Sequence, residues 1–256
     1  MKIISLGTGT SQGVPVIGCL CPTCNSDDPR DKRLRSSVYI ETDGLKLLID
    51  IGPDFRQQFL SNDLSDVDAV LITHEHNDHV VGLDDIRAIN FAHNKSIPVY
   101  ASERVAACLR RFYPYIFNDN PYPGVPRVEL HIINEEPFYI NNLLIRPIQI
   151  MHGRLDIFGF RIKDMAYLTD AKTILEHQYP LLKNLKVLII NALRKKQHHS
   201  HFTLKEALAE ILKIKPEQAY LTHISHLMGL TAEWAQDLPS NVMALQDKQV
   251  ISIDVE

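Results

Sequence analysis

No apolar run in the chain approaches the roughly 18 residues that a membrane-spanning helix needs. The N-terminal "MKIISLGTGT" carries only Ile3, Ile4 and Leu6 before its glycines, too short for a signal-peptide core, and it reads as a first β-strand. There is no internal repeat, low-complexity segment or long linker. Cations are not in excess: the formal charge is −4, so bulk electrostatics offers no argument for a nucleic-acid or membrane surface, although a local patch is not excluded. "LRKKQ" at 193–197 is the one basic cluster. Cysteine is scarce as well, with four in 256 residues, and three of these fall within "GCLCPTC" at 18–24. These absences leave a cytoplasmic globular protein as the expectation. In a reducing compartment Cys19, Cys21 and Cys24 read as metal ligands rather than disulfide partners. Cys108, within "ERVAACLRRF", reads as a small buried hydrophobe.

What is present is an ordinary globular composition, long enough to bury a sizeable core and consistent with one domain over 1–256. Short runs rich in Ile, Val and Tyr, bounded by Gly, Asn, Asp or Pro, predict strands over 2–6, 37–42, 45–50, 68–73, 97–100, 128–133, 143–150, 157–162, 165–169, 186–191, 217–222, 241–245 and 249–254. Apolar residues at i, i+3 and i+4 predict helices over 53–62, 82–94, 102–113, 203–214 and 231–238. Ser102 and Thr203 read as their N-caps, Thr203 with Glu206 in a capping box. The two halves repeat one grammar, strands followed by helices, which suggests an α/β sandwich of two sheets with helices outside. The stretch 113–127, "YPYIFNDNPYPGVPR", is a long surface loop that reads either as a lid or as an irregular connection.

The strongest signal is "LITHEHNDHVVG" at 71–82. A buried strand, Val70-Leu71-Ile72, stops at Thr73, and His74, His76, Asp78 and His79 follow at once. At a strand end His74 and His76 point the same way, while Asp78 and His79 fall on the next turn and can face an adjacent position. The spacing therefore supplies ligands for two metals: imidazole suits zinc, iron or manganese, and the carboxylate adds hard-oxygen character. His152, Asp170 and His223 each follow a buried strand in the same manner. Any one of them alone would be an ordinary loop residue, but together they share one context. The Gly-rich "GTGTSQG" at 7–13 is not a phosphate loop, because Pro15 and cysteines follow it instead of a helix. It reads as a tight turn near the site.

H-x-H-x-D-H followed by His152, Asp170 and His223 in this order resembles the metallo-β-lactamase superfamily. The resemblance implies a four-layer αββα sandwich with two metals at one edge between the sheets. His74, His76 and His152 would hold the first, Asp78, His79 and His223 the second, and Asp170 both. Two cations sharing one water lower its pKa from about 15.7 towards neutrality and make it a nucleophile. Asp78, completing the set, argues against a true β-lactamase. In the phosphodiesterase branches a histidine ahead of a helix serves the leaving oxygen, and His201, just before "FTLKEAL", matches it. Imidazole titrates near the working pH and suits that role. His201 and the ligand Asp78 are thus the side chains expected at the chemistry, whereas His198 and His199 read as solvated.

"GTGTSQGVP", "GCLCPTC", the pre-helical histidine and "LTHISH" together resemble the PhnP-like cyclic phosphodiesterases of phosphonate breakdown. That resemblance implies a structural zinc held by Cys19, Cys21, Cys24 and His226, and four protein ligands with no open position are what such a site requires. The other reading makes His226 a partner of the active-site metals. The expected substrate is a small, cyclic phosphodiester. An RNA-processing nuclease of the transfer-RNA 3′-end type, or a thioester or lactone hydrolase, is the alternative. Neither nucleic acid nor membrane is an expected partner, and a homodimer is left open.

Overall fold

The computed structural model describes residues 1–118 and 122–254. Among the described residues the first sheet contains β1 (Lys2–Gly7), β2 (Ser37–Thr42), β3 (Leu45–Ile49), β4 (Ala69–Leu71), β5 (Ile97–Ala101), β6 (Val128–Ile132) and β15 (Val250–Ser252) in the order β15-β1-β2-β3-β4-β5-β6. The second contains β7 (Phe138–Ile140), β8 (Leu143–His152), β9 (Leu155–Ile162), β10 (Met165–Leu168), β11 (Thr173–Ile174), β12 (Val187–Asn191), β13 (Gln218–Thr222) and β14 (Val242–Ala244) in the order β11-β8-β9-β10-β12-β13-β14, with β7 paired to β8. The helices are α1 (Pro22–Asn25), α2 (Phe55–Ser61), α3 (Asn77–Val80), α4 (Arg87–His93), α5 (Glu103–Phe112), α6 (Pro114–Phe117), α7 (Leu204–Ile214) and α8 (Thr231–Trp234).

Alternation along the strands explains the layering, because successive side chains point to opposite faces. Ile3, Ile40, Leu47 and Ile49 of the first sheet meet Ile145, Phe160, Tyr167 and Ile189 of the second in one buried core. The outer face of the first sheet buries Leu48, Val70 and Val99 against Phe55, Phe59, Val105 and Leu109 of α2 and α5. The outer face of the second buries Leu168, Leu188 and Leu221 against Ala207 and Ile211 of α7. Each such large apolar side chain contributes about 1.5–3 kcal/mol on burial. The result is the four-layer αββα sandwich.

Several local readings change. The two strands Phe138–Ile140 and Thr173–Ile174 are additions; the first joins β8 through a turn at Asn141, whose φ is 52°. The predicted helix 82–94 divides into a 3₁₀ turn, Val81–Ile86, and α4. Helix 231–238 likewise divides into α8 and a 3₁₀ turn, Ala235–Asp237. Both N-caps form: Ser102 accepts from Val105 N–H, and Thr203 and Glu206 make the reciprocal capping box. Cys108 is half-buried rather than buried, since it lies on the flank of α5 beside the stripe of Val105 and Leu109. The stretch 113–127 begins with α6 rather than irregular chain, and its residues 119–121 lie outside the described residues. Tyr113 donates to the Val81 carbonyl at 2.8 Å and Tyr115 to Asp84 at 2.7 Å, so this part is fastened to the segment after His79.

β10, β12 and β13 run parallel, β9 runs against β10, and β8 runs against β9. Hence β8, β10 and β13 all end at the same edge, and His152, Asp170 and His223 come with them. The motif after β4 is held there by close backbone approach. A Cβ on Gly52 would stand 2.1 Å from the Asp78 carbonyl oxygen, and one on Gly82 would stand 2.1 Å from that of Gly52. Only glycine permits these contacts.

Candidate metal centre

The seven strand-end residues converge into overlapping groups: His74, His76 and His152; Asp78, His79 and His223; and His74, His79 and Asp170, with the ligand atoms within each lying within 4.8 Å of one another. Four of the imidazoles are fixed in the same way. The His152 Nδ1–H donates to the carbonyls of Asp170 and Ser200 at 2.8 and 2.9 Å, and a carbonyl can only accept. His79 Nδ1–H donates to Asp50 Oδ2 at 2.6 Å. Thr73 gives its hydroxyl proton to Asp50 and so accepts from His74 Nδ1 at 3.0 Å. Ser36 gives its proton to the Gly9 carbonyl and accepts from His223 Nδ1 at 3.2 Å. Each ring thereby carries its proton on Nδ1 and keeps a lone pair on Nε2, the tautomer that outer partners impose on metal-binding histidines.

Those lone pairs face one another and carboxylates. His74 Nε2 is 2.9 Å from His76 Nδ1. His79 Nε2 is 3.1 Å from Asp78 and 3.2 Å from Asp170, yet it is buried without any hydrogen-bond partner. His223 Nε2 is 3.2 Å from the other oxygen of Asp170. Acceptors packed against acceptors are costly unless a proton or a metal cation lies among them. Against the penalty of burial, Asp78, Asp50 and Asp170 raise His79 well above its ordinary value, so the pocket calls for positive charge. The residues therefore fit divalent metal. Asp170 and His223 also adopt left-handed backbone, with φ of 56° and 55°, and so does Asp50 at 64°. Such strain in non-glycine residues costs about 1–3 kcal/mol and clusters where a side chain must be aimed.

His201 stacks on His223, with ring centroids 5.0 Å apart, and lies 4.6 Å from His152. Its Nδ1 is buried, unpartnered and 3.5 Å from Asp170 Oδ1. Burial drives its imidazole down to about 3 against the opposing pull of Asp170. His199 is exposed, whereas His198 is half-buried with its ring 5.0 Å from His201, so it is not simply solvated. The turn at 7–13 reaches the site, since Thr10 Oγ1 lies 3.2 Å from His223 Nε2.

The cysteine cluster is separate. Cys19, Cys21 and Cys24 place Sγ at 3.3, 3.4 and 3.5 Å from His226 Nδ1. Burial pushes the Cys21 thiol up, but the Cys24 N–H, His226 and the neighbouring thiols outweigh it and bring it to about 6. Burial drives Cys24 up to about 11. Three sulfurs this close to one another and to an imidazole fit a metal, which would hold all three as thiolates.

Sequence reasoning missed Asp50, Thr73 and Ser36, which aim the histidines, and Asn191, whose amide holds the Ala171 backbone beside Asp170 at 2.7 and 3.0 Å. For Asp50 a signal was available: an acidic residue ends the buried strand "LKLLID".

Residues 46–224 match the family described as the beta-lactamase superfamily domain. The chain belongs to the metallo-β-lactamase superfamily. A diphosphatase of the PhnP family superposes with a TM-score of 0.93 at 36% identity, covering 99% of this chain and 98% of that one. The zinc-bound PqqB of Methylobacterium extorquens shares the fold, with a TM-score of 0.79 at 18% identity and coverage of 99% and 100%. A Porphyromonas gingivalis protein named octanoyltransferase is 44% identical over 257 residues, which are 99% of this chain but 52% of that one. This chain thus spans about half the length of that relative. Its fold is that of the metallo-β-lactamases, and none of its described helices is long and apolar enough to cross a membrane.

Proposed function

We propose that residues 1–256 form one hydrolase unit that cleaves a small, cyclic phosphodiester at a dinuclear centre. His74, His76 and His152 would hold one zinc or manganese ion, Asp78, His79 and His223 the other, and Asp170 would reach both. Cys19, Cys21, Cys24 and His226 would hold a structural zinc. When bound, the paired metals would supply an acidified water as nucleophile and a clamp for phosphoryl oxygens.

The observation that carries the reading is His201. An imidazole with a buried, unpartnered nitrogen lies across the ligand cluster, where a departing alkoxide needs a proton. By itself the ring is neutral, because burial disfavours its charged form. A phosphoryl anion docked against it opposes that penalty and favours the protonated ring. The relatedness to a PhnP-family diphosphatase supports phosphorus as the centre attacked.

A large polyanion fits less well. The basic cluster at 193–197 offers only three cations, Arg194, Lys195 and Lys196, few beside the roughly 6–10 phosphate contacts that an extended polyanion makes. One observation favours a second reading: a relative half covered by this chain bears an acyltransferase name, and the same nucleophile could attack a thioester carbonyl. A panel of cyclic and linear phosphodiesters and acyl thioesters, assayed with zinc and with manganese, tests both. Turnover is expected for cyclic phosphodiesters, and turnover of thioesters alone would replace the reading.

A further inference from the structure

Arg104 lies in the first turn of α5 on the outer flank of the site, and the reaction described above gives it no part. Its guanidinium meets two segments, the motif after β4 and the first residues of β9. Nε makes an ion contact at 2.9 Å with Glu75 Oε1, within the His74–His79 motif, out of alignment for a hydrogen bond. Nη1 is 3.0 Å from Asp156 Oδ1, and Nη2 donates to the Asp156 carbonyl. Glu75 is drawn inward, its side chain 20% exposed, and its Oε2 is buried without a hydrogen-bond partner. A carboxylate held away from water costs free energy that an ordinary surface pair does not return.

The two segments belong to different sheets. Glu75 stands between His74 and His76 after β4, and Asp156 follows His152 in the β8–β9 hairpin. Here the Phe158 N–H donates to the Thr73 carbonyl at 3.1 Å at the base of the gap, and Arg104 spans it further out. Asp156 is 61% exposed, so its carboxylate adds little, and the bond to its carbonyl fixes the hairpin.

We infer that Arg104 is a positioning residue: by clamping Glu75 and the Asp156 carbonyl, it sets the spacing of His74 and His76 against His152 and thereby the affinity of that three-histidine position for its metal. The inference rests on the dinuclear reading. Charge alone predicts the opposite sign, because a guanidinium repels a nearby cation and its removal would tighten binding. Positioning predicts loosening, by roughly 10–100-fold as for other outer partners of metal ligands.

The test titrates zinc into the full, metal-stripped chain against a chromophoric chelator. Wild type is expected to take two equivalents beyond the cysteine cluster. Arg104→Met should weaken one of these about 10–100-fold and leave the other unchanged, with activity recovered at high zinc. Arg104→Lys should fall between the two, since an ammonium reaches one partner and cannot form the fork. Glu75→Gln should weaken the same equivalent by less. Unchanged, tighter or equally weakened binding of both equivalents in Arg104→Met overturns the clamp. If that variant fails to fold, as read by near-UV circular dichroism, the Lys and Gln variants decide by the same criterion. A wild type taking fewer than two equivalents fails the dinuclear reading instead, and the clamp then stands only if the remaining equivalent weakens in Arg104→Met.

Discussion

The two ligand clusters are assembled in opposite ways. The cysteine cluster takes three members from one short turn, Cys19 to Cys24, and needs the fold to deliver a single distant residue, His226. The strand-end cluster takes four members from the 74–79 motif after one strand and the other three from three strand ends of the second sheet, so it is complete only when the sandwich closes. A locally built set is suited to fastening a loop, and a globally built set to holding an open, accessible geometry. The two meet in one segment, because His223 and His226 lie three residues apart and the loop that ends at Cys24 starts beside Thr10.

The sharpest test of that contrast is Asp170→Asn. It leaves the cysteine cluster untouched but weakens both ends of the other, and activity should fall by more than about 100-fold, beyond what loss of an outer partner costs. Elemental analysis should show the cysteine-bound zinc retained. His201→Ala comes next: kcat should fall about 10²–10⁴-fold, the range for loss of a positioned acid, with metal content unchanged. Full activity in that variant would remove the role given to His201. Cys21→Ser should reverse the pattern, losing one zinc equivalent and lowering the thermal midpoint while the folded fraction keeps a near-normal kcat. A collapse of kcat there, at full occupancy of the remaining metals, would erase the distinction between the clusters. The smallest effect is expected from Thr203→Ala. Loss of that cap costs about 1 kcal/mol, or roughly 2–4 °C in a chain of this size, with catalysis changed only as far as His201 shifts.

Much of this was readable in advance because the signals were local. Thirteen strands announced themselves as β-branched runs, and His74, His76, Asp78 and His79 stood together at the end of one. β7 and β11 were not readable, since Phe138–Ile140 and Thr173–Ile174 are too short for a pattern and gain strand character by pairing with β8. Ser36 and Thr73 escaped notice because a hydroxyl that aims a histidine resembles any other beside a strand end. Arg104 escaped for another reason: Glu75 and Asp156 are remote in sequence, and nothing near α5 marks its first turn as a bridge between sheets. The division of helix 82–94 follows from Gly82, whose contact with Gly52 fixes the backbone before α4 begins.

The left-handed turns at Asp50, Asp170 and His223 bear on how such a protein would age. Glycine fits these positions without the roughly 1–2 kcal/mol that an L side chain gives up there, so at each of them backbone comfort and the aim of a working side chain pull apart. A lineage selected only for persistence, with its substrate gone, should admit glycine at 50, 170 and 223 early. A homologue that has done so can be recognised as retired from hydrolysis before any assay is run.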